Sequence, residues 1–394
     1  MRSMTGWITS ALVFAGMLSC AAAQESAVVV GAVISQTGSH AAAAADYRKG
    51  LLLWTDEVNA AGGLLGRRIE LRIKDDGSEA ARAGREYAEL IEGGAQVLIG
   101  PYGSAATLTG AAEAERSRRV LLNAAGPSGQ VHKRSPRYVF QTAPSYAAYA
   151  DGVVAAAREA RAESLFVLAR DDAASREMGE AVQAQARKLG IGRVELELYA
   201  AGTVDFLPQL YRAMGVNADA WIAFGDARDG ADMLKTLKRH GYVPRIFYLR
   251  GSIDPHLVSL VGQDAEFILG SKEYDARFPT AGNAKFMQAF SAKWSAPPGP
   301  LAAAAYAAGT VLAAAVRRAG TVDAQKLRGV LASLEVETVL GPYRVDPASG
   351  AQVGMKPVLM QIVKGRPQPV WPWPLAGDRA LLPFVSWTER QRLR

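Results

Sequence analysis

Residues 27–34, AVVVGAVI, form an almost unbroken run of apolar and β-branched residues. A strand that helices cover on both faces has this composition, whereas a strand with one wet face alternates between apolar and polar residues. A helical pattern follows over residues 43–61 and ends at Gly62-Gly63, after which residues 68–74 resume a strand pattern. This stretch predicts a buried parallel strand followed by a helix and a second strand.

The alternation of strand and helix continues to a strand at residues 138–141 and begins again with a strand at residues 164–169. Two successive series of this kind, in a chain of 394 residues, predict an α/β protein with two lobes. Each lobe is expected to contain an open parallel sheet with helices on both faces. A single hydrophobic core does not usually grow to this size.

Three helices are predicted between residues 284 and 334, and the last strands near residues 343–345 and 357–363. The chain is therefore expected to return to the first lobe before it ends. The alanine-rich run at residues 301–316 is short for a membrane span and is predicted to be a buried helix. We expect the chain from Pro367 onward to be an extended segment on the surface.

The N-terminus has the pattern of a secretory signal. Arg2 precedes an apolar run at residues 7–18, and Ala21-Ala22-Ala23 provides a small-residue cleavage site. We predict cleavage after Ala23 and a periplasmic location. Cys20 leaves a second interpretation open, that of a lipid-attachment site, although Met17 stands where leucine is usual. Cleavage after Ala23 removes the one cysteine of the chain, so no disulfide is expected.

The sequence carries no pattern for catalysis, for a cofactor or metal, or for nucleic-acid binding. The net charge of +7 is spread along the chain rather than gathered into runs. Neither a phosphate-binding loop nor a serine nucleophile elbow occurs. The pairs Asp75-Asp76 and Asp171-Asp172 follow predicted strands, where turn formation is favoured over acid–base catalysis. The four histidines lack zinc-ligand spacing: His40, His132, His240 and His256.

In open α/β sheets, ligands bind beyond the carboxyl ends of the strands. One such loop is Gly100-Pro101-Tyr102-Gly103-Ser104. Gly103 allows the backbone to approach a ligand, and Ser104 with the first amides of the next helix can hold an anion such as a carboxylate. Tyr102 is a candidate aromatic wall. A helix-capping serine and a packing tyrosine explain the same pattern, and spacing alone leaves both interpretations open.

A second loop follows the next predicted strand. Ala124, Ala125 and Gly126 are small enough to leave backbone N–H and C=O groups open to a cleft. A simple turn has the same composition. The position after a strand, beside the loop that contains Ser104, favours the functional interpretation.

Several segments resemble a known family. They are residues 31–33 with Thr37-Gly38, residues 58–67 (VNAAGGLLGR), Lys74-Asp75-Asp76, residues 98–101, residues 302–309 with the central Tyr306, and residues 340–343. The chain resembles the leucine/isoleucine/valine-binding family of type I periplasmic binding proteins, which are substrate-binding proteins of ABC transporters. The resemblance extends from about Val28 to Pro374.

The resemblance implies two Rossmann-like lobes that three crossovers join as a hinge, with a ligand in the cleft between them. It divides the chain into a signal peptide (1–23), lobe 1 (24–143 and 273–345), lobe 2 (144–272 and 346–375) and a C-terminal tail (376–394). It also implies an ABC permease and its ATPase as partners, and no catalysis or cofactor.

The resemblance also carries individual residues. Ser104 matches the family's carboxylate-binding serine, and Ala124 and Gly126 match the loop that holds the ligand's ammonium and carboxylate groups. Tyr146, Ala174, Asp226 and Gly251 match positions near second-lobe ligand contacts.

Some positions depart from the family pattern. Threonine is common where Gly126 stands, an aromatic residue is common at Ala174, and an acidic residue is not evident at Gly251. Asp226 is then the candidate partner for a ligand ammonium group, and Arg250 the candidate partner for a second carboxylate.

The sequence thus predicts a periplasmic binding protein of an ABC importer that takes a small carboxylate-bearing ligand: a branched-chain or other amino acid, or a related organic acid or amide. The alternative is a periplasmic ligand sensor that reports to a receptor. Both functions need the same closing cleft, so the sequence alone does not separate them.

Overall fold

The computed structural model describes residues 27–372, 375–377 and 379–390. The predicted signal peptide and Cys20 lie outside the described residues. The first sheet is built from elements that alternate along the chain: β1 (Val28–Ile34), α1 (Ala41–Ala60), β2 (Ile69–Asp75), α2 (Ala80–Glu92), β3 (Val97–Ile99), α3 (Ser104–Arg116), β4 (Val120–Asn123) and β5 (Val139–Gln141). Its strand order is β2-β1-β3-β4-β5.

Every strand pair in this sheet is parallel. The run at residues 27–34 is β1, which lies inside the sheet between β2 and β3. Val30 and Val33 are both fully buried but belong to different hydrophobic clusters, one on each face of the sheet. The prediction of a strand covered on both faces is confirmed, because helices pack on both sides.

The second sheet begins after residue 148. Its elements are α4 (Tyr149–Glu159), β6 (Ser164–Arg170), α5 (Ala173–Lys188), β7 (Arg193–Tyr199), α6 (Leu207–Gly215), β8 (Ala220–Phe224), α7 (Ala227–Arg239), β9 (Ile246–Leu249), α8 (Pro255–Val261) and β10 (Leu269–Lys272). These strands are parallel in the order β10-β9-β8-β6-β7. The predicted pair of parallel α/β sheets is confirmed.

The chain then returns to the first sheet through α9 (Asn283–Trp294), α10 (Pro300–Ala319), α11 (Ala324–Leu331) and the small hairpin β11 (Val336–Thr338) and β12 (Gly341–Tyr343). Within the described residues, α10 is the helix whose length and apolarity suit a membrane span, but about two thirds of its most apolar window is buried inside the protein. It packs on α1, where Gly309 lies against the ring of Trp54. The predicted buried helix is confirmed.

The last strands extend the second sheet. β13 (Val358–Val363) pairs antiparallel with β10, and β14 (Arg366–Trp371) pairs antiparallel with β13. The expectation of an extended surface segment from Pro367 onward is therefore wrong for residues 367–371, which form an edge strand. Phe384, further along, is buried and packs edge-on against Phe247. The apolar side chains of this segment complete the second core, and the short helix α12 (Trp387–Arg390) ends the described chain.

The chain passes between the two sheets three times: after β5, after β10 and after β12. This is the two-lobe arrangement that the sequence predicts. The exact lobe boundaries at residues 143, 272 and 345 stay a prediction.

Candidate functional site

The loops after β3 and β4 lie side by side at the carboxyl edge of the first sheet. Tyr102 pairs with Ala125 in a parallel bridge, and the Gly103 amide donates a 2.9 Å hydrogen bond to the Ala125 carbonyl oxygen. Gly103 has φ of +89°, a left-handed conformation that side chains disfavour. This turn lets α3 begin at Ser104, with Gly103 as its N-cap residue.

Ser104 is connected to the second of these loops. Its Oγ accepts a 3.2 Å hydrogen bond from the Ser128 amide. The hydroxyl hydrogen of Ser104 remains available for donation to another group. The first amides of α3 have no partner within the helix, as at any helix N-terminus.

A cavity of about 190 Å³ lies where these loops meet the second sheet and the crossovers. This volume is smaller than the roughly 300–1,000 Å³ of pockets for drug-sized ligands, so it suits a small molecule. Its polar wall contains three tyrosines and two charged residues: Tyr102, Tyr146, Tyr149, Arg250 and Glu273. Its remaining walls are glycine, alanine, proline and leucine: Gly103, Ala124, Ala125, Pro127, Ala143, Pro144, Pro300, Leu301, Ala304 and Leu340.

Three surface grooves are larger but more open, at about 410, 500 and 370 Å³. The first two lie along α4, α5 and the residues around Lys356, and the third lies beside the hairpin of β11 and β12. None of them draws a residue from the loops after β3 and β4, in contrast to the 190 Å³ cavity. Because ligands of open α/β sheets bind at the strand ends, we take the smaller cavity as the candidate site.

The charged residues of the cavity come from the carboxyl ends of two neighbouring strands. Arg250 follows β9 and Glu273 follows β10. The hydroxyl of Tyr149 donates a 2.6 Å hydrogen bond to Glu273 Oε2, and the guanidinium of Arg250 lies over the Tyr149 ring at 5.2 Å from its centroid. The buried Nε atom of Arg250 has no hydrogen-bond partner among the described residues. An anionic ligand group is the natural partner for a guanidinium group that lines a cavity.

The surroundings shift the pKa values of these groups. Burial of Arg250 opposes its charged form, but the nearby Tyr149 and Glu273 outweigh this effect and raise its pKa. Burial also raises the pKa of Tyr149 well above its ordinary value, and the charge of Glu273 adds to that rise. Burial similarly raises the pKa of Tyr146. At neutral pH the cavity therefore presents the guanidinium cation of Arg250 and the neutral hydroxyls of Tyr146 and Tyr149.

The structure brings six of the ten predicted site residues to this cavity: Tyr102, Gly103, Ala124, Ala125, Tyr146 and Arg250. Ser104, Gly126, Ala174 and Asp226 are not among its lining residues. Ser104 lies one position beyond the lining Gly103 and reaches Ser128 instead.

Gly126 and Ala174 are held in packing roles. Gly126 is buried, and its N–H and C=O groups both bond the Asn123 side chain. A Cβ atom at this position would lie 2.1 Å from Thr107 Oγ1, so the close approach of α3 to this loop requires glycine. Ala174 is half-buried against the core of the second lobe.

Asp226 is committed to other partners. Its carboxylate caps α7 by accepting hydrogen bonds from the Arg228 and Asp229 amides, and it forms a 2.7 Å ion pair with Arg170. Burial alone would raise the pKa of Asp226, but these contacts outweigh it and lower the pKa. Asp226 is not among the residues that line the cavity, so its contact with a ligand ammonium group stays a prediction.

Sequence reasoning missed Tyr149 and Glu273. Glu273 directly follows β10, so the strand-end rule applied to Ser104 would have identified it. Tyr149 is the first residue of α4 and carried no strand-end signal. Only the structure shows that Tyr149 lies beside Glu273, because the crossover at residues 142–148 leads directly into α4.

A family model described as "Periplasmic binding protein" matches residues 27–367. The chain belongs to this family. The match extends over both lobes of the periplasmic binding protein and confirms the resemblance to type I members seen in the sequence. Among the described residues no group of histidine, cysteine, aspartate and glutamate side chains could hold a metal ion.

Individual relatives agree with this assignment. An "Amino acid binding protein" of Pseudomonas aeruginosa is 24% identical over 332 residues, which are 83% of this chain and 88% of the relative. A substrate-binding protein of Desulfitobacterium hafniense, solved with leucine, has a TM-score of 0.72 and 23% identity, with 88% and 100% of the two chains covered.

A solute-binding protein of R. palustris, solved with benzoate, has a TM-score of 0.67 and 21% identity, with 91% and 98% of the two chains covered. At these identities the solved structures establish the fold alone. These relatives are all named as binding proteins rather than enzymes, and this chain is a binding protein.

Proposed function

We propose that this periplasmic binding protein is the substrate-binding component of an ABC importer, and that it binds a small carboxylate-bearing molecule between its lobes. The observation that carries the proposal is Arg250, a cation that lines the cavity and whose buried Nε has no hydrogen-bond partner among the described residues. A carboxylate in the cavity would pair with this guanidinium and offset the cost of burying the cation.

The cavity offers complementary groups for the rest of the ligand. Glu273 keeps one carboxylate oxygen free of the Tyr149 contact, so an α-ammonium group is compatible with the site. Tyr102, Tyr146 and the proline and leucine walls suit an apolar or aromatic side chain. The supported ligand class therefore contains apolar amino acids as well as simple carboxylic acids, which are also the ligand types named for the relatives.

Closure of the lobes supplies the binding mechanism. Residues of the first sheet, the second sheet and the crossovers all contribute to one cavity. A ligand that contacts all three favours the closed arrangement by the free energy of those contacts. In the proposed function, the closed form in the periplasm docks on a permease, which receives the ligand as its ATPase drives transport.

The proposal is tested by a thermal-shift screen of the purified protein against amino acids, aromatic acids, dicarboxylates and matched amides, with calorimetry of each hit. A compound at about 100 times its Kd should add about 2.7 kcal/mol of stability. Binding of a carboxylate but not of its amide is the expected result. A preference for the neutral amide would contradict the role assigned to the carboxylate.

The transport role needs a separate experiment. Deletion of the gene in the source organism should reduce uptake of the radiolabelled compound identified in the screen. Normal uptake together with loss of a ligand-dependent response would instead support the sensor function.

A further inference from the structure

A second contact joins the two lobes outside the cavity. Ser128 and Gly129 follow β4 in the first lobe, and Glu177 lies one turn into α5 of the second lobe. The Ser128 hydroxyl donates a 2.7 Å hydrogen bond to Glu177 Oε2. The Gly129 amide donates a 2.7 Å hydrogen bond to Glu177 Oε1. Both carboxylate oxygens are thus bound by groups of the opposite lobe.

The loop that Glu177 holds also forms part of the candidate site. Pro127 lines the cavity, and its carbonyl oxygen accepts a 3.0 Å hydrogen bond from the Tyr146 amide. The Ser128 amide donates to Ser104 Oγ at the start of α3. One continuous series of hydrogen bonds therefore runs from Glu177 through Ser128 to Ser104.

These contacts exist only while the lobes are together. Glu177 and its two donors lie on opposite sides of the cleft, so a hinge opening separates them and returns the carboxylate to water. Hydrogen bonds to an ionised group are stronger than neutral ones, and two of them on one carboxylate fix its position. The free energy of this contact is therefore a difference between the closed and open states.

We propose that Glu177 is a latch and a positioning residue: it stabilises the closed state and orients the loop of Pro127, Ser128 and Gly129 around the site. The proposal rests on the proposed function for its effect on ligand release, whereas the latch itself can be measured without ligand. Glu177 lies outside the cavity lining, so it acts through the loop and not by touching the bound molecule.

The variants are Glu177→Ala, Glu177→Gln and Ser128→Ala, with Glu180→Gln as the matched control. Glu180 is exposed on the same helix, and within the part of the chain that the structure describes its side chain makes no ion pair or hydrogen bond. Glu177→Gln keeps one acceptor oxygen and is expected to be intermediate. Urea unfolding of each variant separates loss of folding from loss of closure.

Two measurements need no ligand. Amide hydrogen exchange of Gly129 should be roughly tenfold or more faster in Glu177→Ala, because the amide loses its acceptor. Small-angle X-ray scattering should show a larger radius of gyration for Glu177→Ala than for Glu180→Gln. If Glu177→Ala changes neither the exchange rate of the Gly129 amide nor the radius of gyration, Glu177 does not stabilise the closed state.

The third measurement is stopped-flow binding of leucine and of benzoate as probes. For whichever binds, Glu177→Ala should raise the dissociation rate roughly tenfold and leave the association rate nearly unchanged. The double variant Glu177→Ala/Ser128→Ala should be less impaired than the two single effects combined, since both break one contact. If the effects of the two substitutions on the dissociation rate are additive, Glu177 and Ser128 do not act through one contact. If neither probe nor any screened carboxylate binds, the proposed function fails, while exchange and scattering still decide the latch.

Discussion

The hydroxyl of Tyr149 donates a 2.6 Å hydrogen bond to Glu273, and this bond joins the start of α4 to the end of β10 at the cavity. Tyr149 is 5% exposed, so its hydroxyl has little access to water. The second crossover of the chain begins at Glu273, directly after β10. The bond therefore connects a wall of the candidate site to the region that must bend when the lobes move.

Tyr149→Phe removes this bond and leaves the ring in place. We expect a loss of about 1.5–3 kcal/mol in the free energy of unfolding, because the acceptor is a carboxylate. Urea unfolding measures the loss. The control is Tyr211→Phe, since Tyr211 is 59% exposed and its hydroxyl makes no hydrogen bond within the described residues. Equal stability of the two variants would show that Glu273 finds another donor.

Arg250→Met removes the positive charge at the cavity and replaces the arginine with a long, uncharged side chain. We expect the Kd for a carboxylate to rise roughly 10–100-fold, as for the loss of one charge-assisted hydrogen bond. Calorimetry with the best carboxylate of the screen measures the change. Arg239→Met, an exposed position at the end of α7, is the control. If the Arg250 variant binds the carboxylate with unaltered affinity, the guanidinium does not contribute to ligand binding.

Asp75 ties the loop after β1 to the end of β2. Partial burial would raise its pKa, but the Thr37 hydroxyl and the amides of Gly77, Gln36 and Thr37 outweigh this and lower the pKa to about 2. A carboxyl group with a lowered pKa stabilises the fold above its ordinary pKa of about 4. That contribution is lost as the pH falls from about 4 toward about 2.

Asp75→Asn should therefore lower stability at neutral pH and flatten its dependence on pH over this acid range. Unfolding by urea at several pH values provides the measurement, with Glu180→Gln as the reference. The loop after β1 also carries His40, whose ring packs edge-on against the Tyr102 ring with 5.3 Å between the ring centroids. If the Asp75→Asn variant still loses stability steeply as the pH falls, other carboxyl groups determine the pH dependence of stability.

Gly309→Ala tests the packing of α10 on α1. A Cβ atom there would lie 2.2 Å from the Trp54 ring, so one of the helices must shift. We expect a destabilisation of roughly 1–3 kcal/mol. Gly329→Ala is the matched control, because this exposed glycine of α11 has open space around its Cβ position. Alanine should stabilise a helix there by up to about 1 kcal/mol, and opposite signs for the two variants are the expected outcome.

The sequence predicted the strand ends of the site better than the side chains that occupy them. The predicted loops after β3 and β4 both line the cavity, because the end of a parallel strand is a local signal that needs no partner, while their contact with a ligand stays a prediction. Asp226 and Arg250 both follow strands of the second sheet, and the pattern did not distinguish them. Only the structure places Asp226 on Arg170 and on the start of α7, and Arg250 on the cavity.

By itself the sequence determined the α/β class, the two lobes, the buried helix α10 and the family, since periodicity, turn glycines and short motifs are local properties of the chain. The tertiary structure decided which charges meet. Tyr149 and Glu273 are 124 residues apart, and Ser128 and Glu177 are 49 residues apart. The contact of Ser128 with Glu177 depends on how the crossovers orient the lobes, and that of Tyr149 with Glu273 depends on how α4 packs beside β10. No local pattern of the sequence specifies either arrangement.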